Sequence, residues 1–137
     1  MRRALIDTSA IYAIADRADK YHAFAQSFAA RWLKAGGDFV LLDWIFIETM
    51  TLIKRSLGGQ AALHVGRELR RNPTYHWIPT SPDEEREVWA AFQKYDDKDW
   101  SYADCSLLVM SRRLKIPQVF SFDSHFRQMP GVTRLPE

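Results

Sequence analysis

Apolar positions along this chain follow two rhythms. Short unbroken runs alternate with longer stretches in which apolar residues return every three or four positions. Ala4-Leu5-Ile6, Phe39-Val40-Leu41-Leu42 and Gln118-Val119-Phe120-Ser121-Phe122 are such runs, and an aspartate follows each: Asp7, Asp43 and Asp123. A run of this length without alternation fits a strand covered on both faces. Tyr75 to Ile78 and Val132 to Leu135 read as two further strands.

The stretches between them read as helices. Thr8 or Ser9 is placed to cap a helix through about Ala15. Phe24, Phe28 and Trp32 recur every four residues in Tyr21 to Lys34, and Gly36 stops that helix. Asp43 can cap a helix from Trp44 to about Ser56. Gln60 to Arg71 is another, ended before Pro73. Ser81-Pro82-Asp83-Glu84 is a strong start signal for a helix carrying Val88, Trp89 and Phe92. Ser101 to Leu114 is the last, with Pro117 beyond it. Strands alternating with helices predict an α/β fold, a parallel sheet covered on both sides. Ligands then bind beyond the carboxyl ends of the strands, so the residues just after each strand matter most.

Composition narrows the picture. The 137 residues fit one domain, and no repeat, low-complexity tract or linker divides them. A single cysteine, Cys105, excludes a disulfide framework and a cysteine-based zinc site, and reads as a small buried hydrophobe. The amino-terminal residues reach Asp7 without an apolar core, unlike a signal peptide, and no run of about 18 apolar residues occurs. A cytoplasmic protein is the expectation. The 19 basic and 17 acidic residues leave a net charge of +2, which argues against a polybasic nucleic-acid coat. It leaves room for a nuclease, which needs local charge.

The acids carry the candidate chemistry. Asp7 and Asp123 each follow a strand and fall at the same edge of a parallel sheet. Either could instead cap a helix. Glu48 follows four apolar residues, Trp44-Ile45-Phe46-Ile47, so its carboxylate is expected to be partly buried. A buried carboxylate needs a partner: a metal, or a cation such as Arg55 or Arg113. Asp104 has capping-box spacing from Ser101, and the apolar helix after it aims the carboxylate at the sheet edge. Four converging carboxylates repel one another, and a hard divalent cation resolves the conflict. Oxygen donors without a histidine or cysteine pattern point to Mg²⁺ or Mn²⁺. Such an ion serves phosphodiester hydrolysis.

Leu5-Ile6-Asp7-Thr8-Ser9-Ala10, Glu48 in its apolar helix, Ser101-Tyr102-Ala103-Asp104-Cys105 and Phe120-Ser121-Phe122-Asp123-Ser124-His125-Phe126 together resemble the PIN domain. The resemblance spans nearly the whole chain, 1–137, and is strongest to the VapC-like toxins of type II toxin–antitoxin systems. It implies a three-layer α/β/α sandwich with a central parallel sheet. It implies a Mg²⁺-dependent ribonuclease, a cognate antitoxin and a homodimer. Asp7 and Asp104 match the usual direct metal ligands, and Glu48 and Asp123 the completing pair, which binds a second metal or orients water. Thr8 or Ser9 is expected to support Asp7 by hydrogen bonding. Ser121 stands where many members carry threonine and keeps the hydroxyl. Asp99 is a nearby acid that fits the motif less well than Asp104. Asp96 and Asp97 read as solvated loop charges.

Other features are read more plainly. His22, His64, His76 and His125 lack metal-ligand spacing and read as structural or surface residues. His125, two residues after Asp123, is the one within reach of a phosphate. Lys54-Arg55, Arg67, Arg70-Arg71 and Arg112-Arg113-Lys115 are helix-end clusters, or else a track for RNA. Phe24, Phe28, Trp32, Trp44 and Phe46 read mostly as core, some of them available to line a groove for an antitoxin helix. A catalytically silent PIN-like binding module is the alternative to the nuclease. A phosphatase with an aspartate nucleophile would want a second aspartate at Ser9, a receiver domain would cluster acids after the first strand, and no phosphate-binding glycine loop occurs.

Overall fold

The computed structural model describes residues 2–137. Five strands pair in parallel: β1 (Arg3–Ile6), β2 (Asp38–Leu42), β3 (Tyr75–Ile78), β4 (Gln118–Phe120) and β5 (Thr133–Leu135). Their spatial order is β3-β2-β1-β4-β5. Six helices connect them: α1 (Thr8–Ala15), α2 (His22–Lys34), α3 (Asp43–Leu57), α4 (Gly59–Arg71), α5 (Pro82–Lys94) and α6 (Tyr102–Leu114). A 3-10 turn, Ser124–Arg127, follows β4.

Phe39, Val40, Leu41 and Leu42 are all fully buried. Neighbouring side chains on a strand point to opposite faces, so helices must cover both sides of β2. This is the α/β/α layering that the unbroken apolar runs predict. On one side Trp32 of α2 packs over Phe39, and Phe28 over Phe120, with ring centroids 6.4 and 4.6 Å apart. The Trp32 indole also donates to the Asp38 carbonyl at 3.0 Å. Helix α6 is buried without a break from Ala103 to Ser111. Burial all round marks a helix enclosed by its neighbours rather than one with a wet face.

Local chemistry departs from the sequence reading in four places. Asp7, rather than Thr8 or Ser9, caps α1: its carboxylate accepts from the Ser9 backbone N–H, and Thr8 is already helical. Asp43 lies inside the first turn of α3. Its carboxylate accepts from the N–H and hydroxyl of Thr80 at 3.0 and 2.7 Å, tying α3 to the segment before α5. Strand β4 stops at Phe120, two residues early. Beyond it, Phe122 N–H donates to Ser9 Oγ and Asp123 N–H to Ser121 Oγ, so hydroxyls replace strand carbonyls. Finally, of the five aromatics read as core, Trp32 alone is fully inside, and Phe24 is 53% exposed. Positions four apart drift by about 40° around a helix, which carries Phe24 off the face that Trp32 occupies.

Candidate active site

Strand β1 lies at the point where the connections change direction. From β1 the chain steps to β2 and β3 on one side, then crosses to β4 and β5 on the other. The crevice outside the carboxyl ends of β1 and β4 is where a parallel sheet exposes a binding site. Ile6 pairs with Phe120, so the next residues outward, Asp7 and Ser121, are neighbours at this edge.

Asp7 is almost wholly buried and held from two sides. Ser9 Oγ and Ser121 Oγ each donate to its Oδ2 at 2.8 Å, and the two hydroxyls lie 3.0 Å apart. Thr8 does not support Asp7. Its hydroxyl accepts from Thr49 Oγ1 at 3.1 Å and hydrogen-bonds Glu48, one turn along α3. Glu48 is half-buried, and among the described residues no cation pairs with it. Arg113, a candidate partner from sequence, instead binds Glu87 at 2.7 Å and Glu84 at 3.8 Å.

Asp104 satisfies both readings of its position. It completes the capping box of α6, accepting from the Ser101 N–H at 2.9 Å, and its carboxylate still faces the crevice. Asp123 caps the 3-10 turn by accepting from the His125 N–H at 2.9 Å. The four acids, with Asp99 and His125, line one cleft of about 300 Å³.

Burial and mutual repulsion dominate the electrostatics. Desolvation, with the charges of Asp104 and Glu48, pushes Asp7 up to about 7 against the pull of Ser121 and Ser9. Burial raises Glu48 as well, as do the charges of Asp104 and Asp123. Asp104 is raised by burial and by Asp123, partly offset by Ser101 and His125. Each carboxylate thus feels the others, which is the condition under which a divalent cation is favoured.

His125 sits inside this group. Its Nδ1 lies 3.0 Å from Asp104 Oδ2 and 3.2 Å from Asp123 Oδ1. Burial alone would lower its pKa; the hydrogen bond to Asp104 and the charges of Asp123, Asp104 and Asp99 outweigh that and raise it. One atom each from Asp104, Asp123 and His125 fall within 4.8 Å of one another, close enough to share one cation. The oxygen-rich donor set fits a hard ion. The sequence signal for His125 was its spacing from Asp123, which the 3-10 turn converts into proximity.

The PIN domain model matches residues 4–132. The chain belongs to the PIN domain family. It is 24% identical over 132 residues to the 23S rRNA-specific endonuclease VapC20 of Mycobacterium tuberculosis, covering 96% of this chain and 98% of the relative. The solved structure of VapC20, described as a sarcin-ricin loop cleaving toxin, superposes with a TM-score of 0.82 at 21% identity, covering 93% of this chain and 95% of that one. A toxin–antitoxin complex from Klebsiella pneumoniae gives 0.65 at 18% identity, with 95% of each chain covered. These structures share the PIN fold with this chain.

Other sequence candidates lie away from the cleft of this PIN domain. His22 Nδ1 is 2.8 Å from the Ala13 carbonyl, and His76 Nε2 is 2.7 Å from Asp38. Cys105 is buried, and burial pushes its thiol up to about 11. None of the four basic clusters lines the cleft among the described residues. No helix among the described residues is long and apolar enough to cross a membrane.

Proposed function

We propose that this PIN domain is a Mg²⁺-dependent endoribonuclease and the toxin of a type II toxin–antitoxin pair. The carrying observation is the convergence of four carboxylates at the carboxyl edge of the sheet, in a chain alike along 96% of its length to a named rRNA endonuclease. Asp7 and Asp104 are the residues to hold the ion, with Glu48 and Asp123 completing the set for a second ion or for orienting water. Bound there, Mg²⁺ would supply Lewis acidity toward a phosphoryl oxygen and lower the pKa of its water. Mn²⁺ has the same preference for oxygen donors and is expected to substitute.

The chain's own residues prepare this site. Ser9 and Ser121 fix the Asp7 carboxylate in one orientation, and Ser101 does the same for Asp104. Thr8 restrains Glu48 through a hydroxyl anchored on Thr49. His125 bridges Asp104 and Asp123 through Nδ1 and sets its imidazole in the cleft, within reach of an incoming phosphate. Residues 1–137 are taken to act as one catalytic unit in the cytoplasm. The antitoxin belongs to the proposal because structural neighbours include a toxin–antitoxin complex. So does a homodimer, for which Trp89 and Phe92, exposed together on α5, offer an apolar surface.

The test is cleavage of purified ribosomal RNA with Mg²⁺ and with chelator. The chain is expected to cut only with the metal. Asp7→Asn and Asp104→Asn should lose at least about a hundredfold, equivalent to about 3 kcal/mol of transition-state stabilisation. Equal cleavage by parent and Asp7→Asn would sink the reading. Chelator-insensitive RNA binding without cleavage would instead favour a silent binding module. Growth arrest on expression, absent in Asp104→Asn, is the expected sign of a toxin.

A further inference from the structure

A second hollow of about 330 Å³ lies beside the acidic cleft and is continuous with it through Ser9, Leu52 and Asp123. Its aromatic wall is formed by Tyr21 and Phe122. The two rings stack flat, with centroids 4.6 Å apart and planes 6° from parallel. Phe24 meets the edge of Phe122 at 6.3 Å. Phe24 is 53% exposed and Tyr21 38%. The stack is rooted in the core, since Phe122 packs on buried Phe120 at 5.8 Å. It is also keyed to the acids: Phe122 N–H donates to Ser9 Oγ, the hydroxyl that holds Asp7. A molecule resting on these rings is therefore positioned relative to the cleft.

Charge says what that molecule is. Lys20 Nζ lies 4.9 Å from the Tyr21 ring centre. Arg134 lies in the neighbourhood of Tyr21, Asp123 and Arg127. Exposed rings flanked by cations suit an unpaired nucleobase: the ring takes the base, the cations take its phosphates. An amphipathic protein helix would want an apolar stripe several turns long. This hollow is short, and its other walls carry Asp19, Asp123, Ser9 and the Tyr12 hydroxyl.

We propose that Tyr21 and Phe122 form a stacking subsite for one unpaired base of the RNA, next to the phosphodiester bond that is cut. Lys20, whose ammonium lies over the Tyr21 ring in the free chain, gives up that face to the base and meets the backbone phosphate of that nucleotide. The inference rests on the ribonuclease reading and adds to it how single-stranded or looped RNA is selected over duplex.

The test uses the full chain carrying Asp7→Asn, which is expected not to cleave. Its affinity for a fluorescein-labelled single-stranded RNA of about twelve nucleotides is read by anisotropy. Adding Tyr21→Ala should weaken binding about five- to hundredfold, the range of one lost base–aromatic stack. Tyr21→Phe should stay within about twofold. Tyr21→Leu, which keeps an apolar contact with Phe122, should lose as much as Tyr21→Ala. An oligomer of the same length without bases should bind both Tyr21→Ala and its parent equally. Unchanged RNA affinity in Tyr21→Ala or Tyr21→Leu, as expected if the hollow is a protein-docking site, overturns the subsite. Equal weakening toward RNA and the baseless oligomer overturns it too. Cleavage by the unsubstituted chain keeps the two proposals apart. Cleavage with silent Tyr21 variants defeats the subsite alone. Tyr21-dependent RNA binding without cleavage by the unsubstituted chain defeats the nuclease and leaves a base-stacking site with no cut bond beside it.

Discussion

Asp7 sits under the strongest electrostatic strain in the cleft. Burial first, then Asp104 and Glu48, hold its carboxyl up to about 7 against an ordinary 3.8. In the unfolded chain Asp7 loses its proton at the ordinary value, whereas the metal-free folded chain keeps it up to about 7. The folded state binds more protons across that window, so its stability falls as pH rises through it. The contribution is fully present below about 4 and gone above about 7. Glu48 and Asp104 are raised too and act in the same direction, as does His125. In chelator, the urea midpoint is therefore expected to be lower at pH 8 than at pH 5. Asp7→Asn should flatten that dependence and gain up to a few kcal/mol over the parent at pH 8. A parent midpoint that climbs from pH 5 to pH 8 would contradict the electrostatic account.

At the scale of elements, the strands and helices were legible because period and punctuation agree. Unbroken apolar runs became the buried strands, and Ser81-Pro82-Asp83-Glu84 became a capping box with proline in the first turn. The end of β4 was illegible because the hydroxyls that replace its carbonyl partners, those of Ser9 and Ser121, belong partly to a segment more than a hundred residues away. The acids of the cleft were legible from their places after strands and in helices. The Tyr21–Phe122 stack was not, since no local pattern joins α2 to the turn after β4. Nor did periodicity expose the demand at Gly37. A methyl group there would lie 2.5 Å from Trp32 Nε1. That indole is held by its bond to Asp38 and by the rings of Phe28 and Phe39, so it has little room to yield. Gly37→Ala is expected to cost about 1–3 kcal/mol of stability by overpacking. Urea unfolding measures it, and an unchanged midpoint would show that the indole moves freely.

For the molecule as a whole, a net charge of +2 understates the charge available to RNA. Five of the 17 acids line the cleft, and setting aside the four assigned to the metal, Asp7, Glu48, Asp104 and Asp123, leaves 13 against 19 bases once a metal balances them. Where those bases lie then decides which of them count. Helices α4 and α6 end just before β3 and β4 begin, so Arg70, Arg71, Arg112, Arg113 and Lys115 gather at the amino edge of the sheet. The cleft is at the carboxyl edge. The densest basic runs in the sequence are thus helix-end charges that favour the dipole, while Lys20 stands by Tyr21, and Arg134, with Arg127 near it, stands by Tyr21 and Asp123. Single-stranded RNA affinity should fall with salt at a logarithmic slope of about 0.7 per phosphate neutralised. In the non-cleaving Asp7→Asn chain, Lys20→Ala and Arg127→Ala should each lower that slope by about 0.7. Arg112→Ala should leave it unchanged. Anisotropy titrations across a salt series measure all three, and an equal loss of slope in Arg112→Ala would move the RNA track to the opposite edge of the sheet.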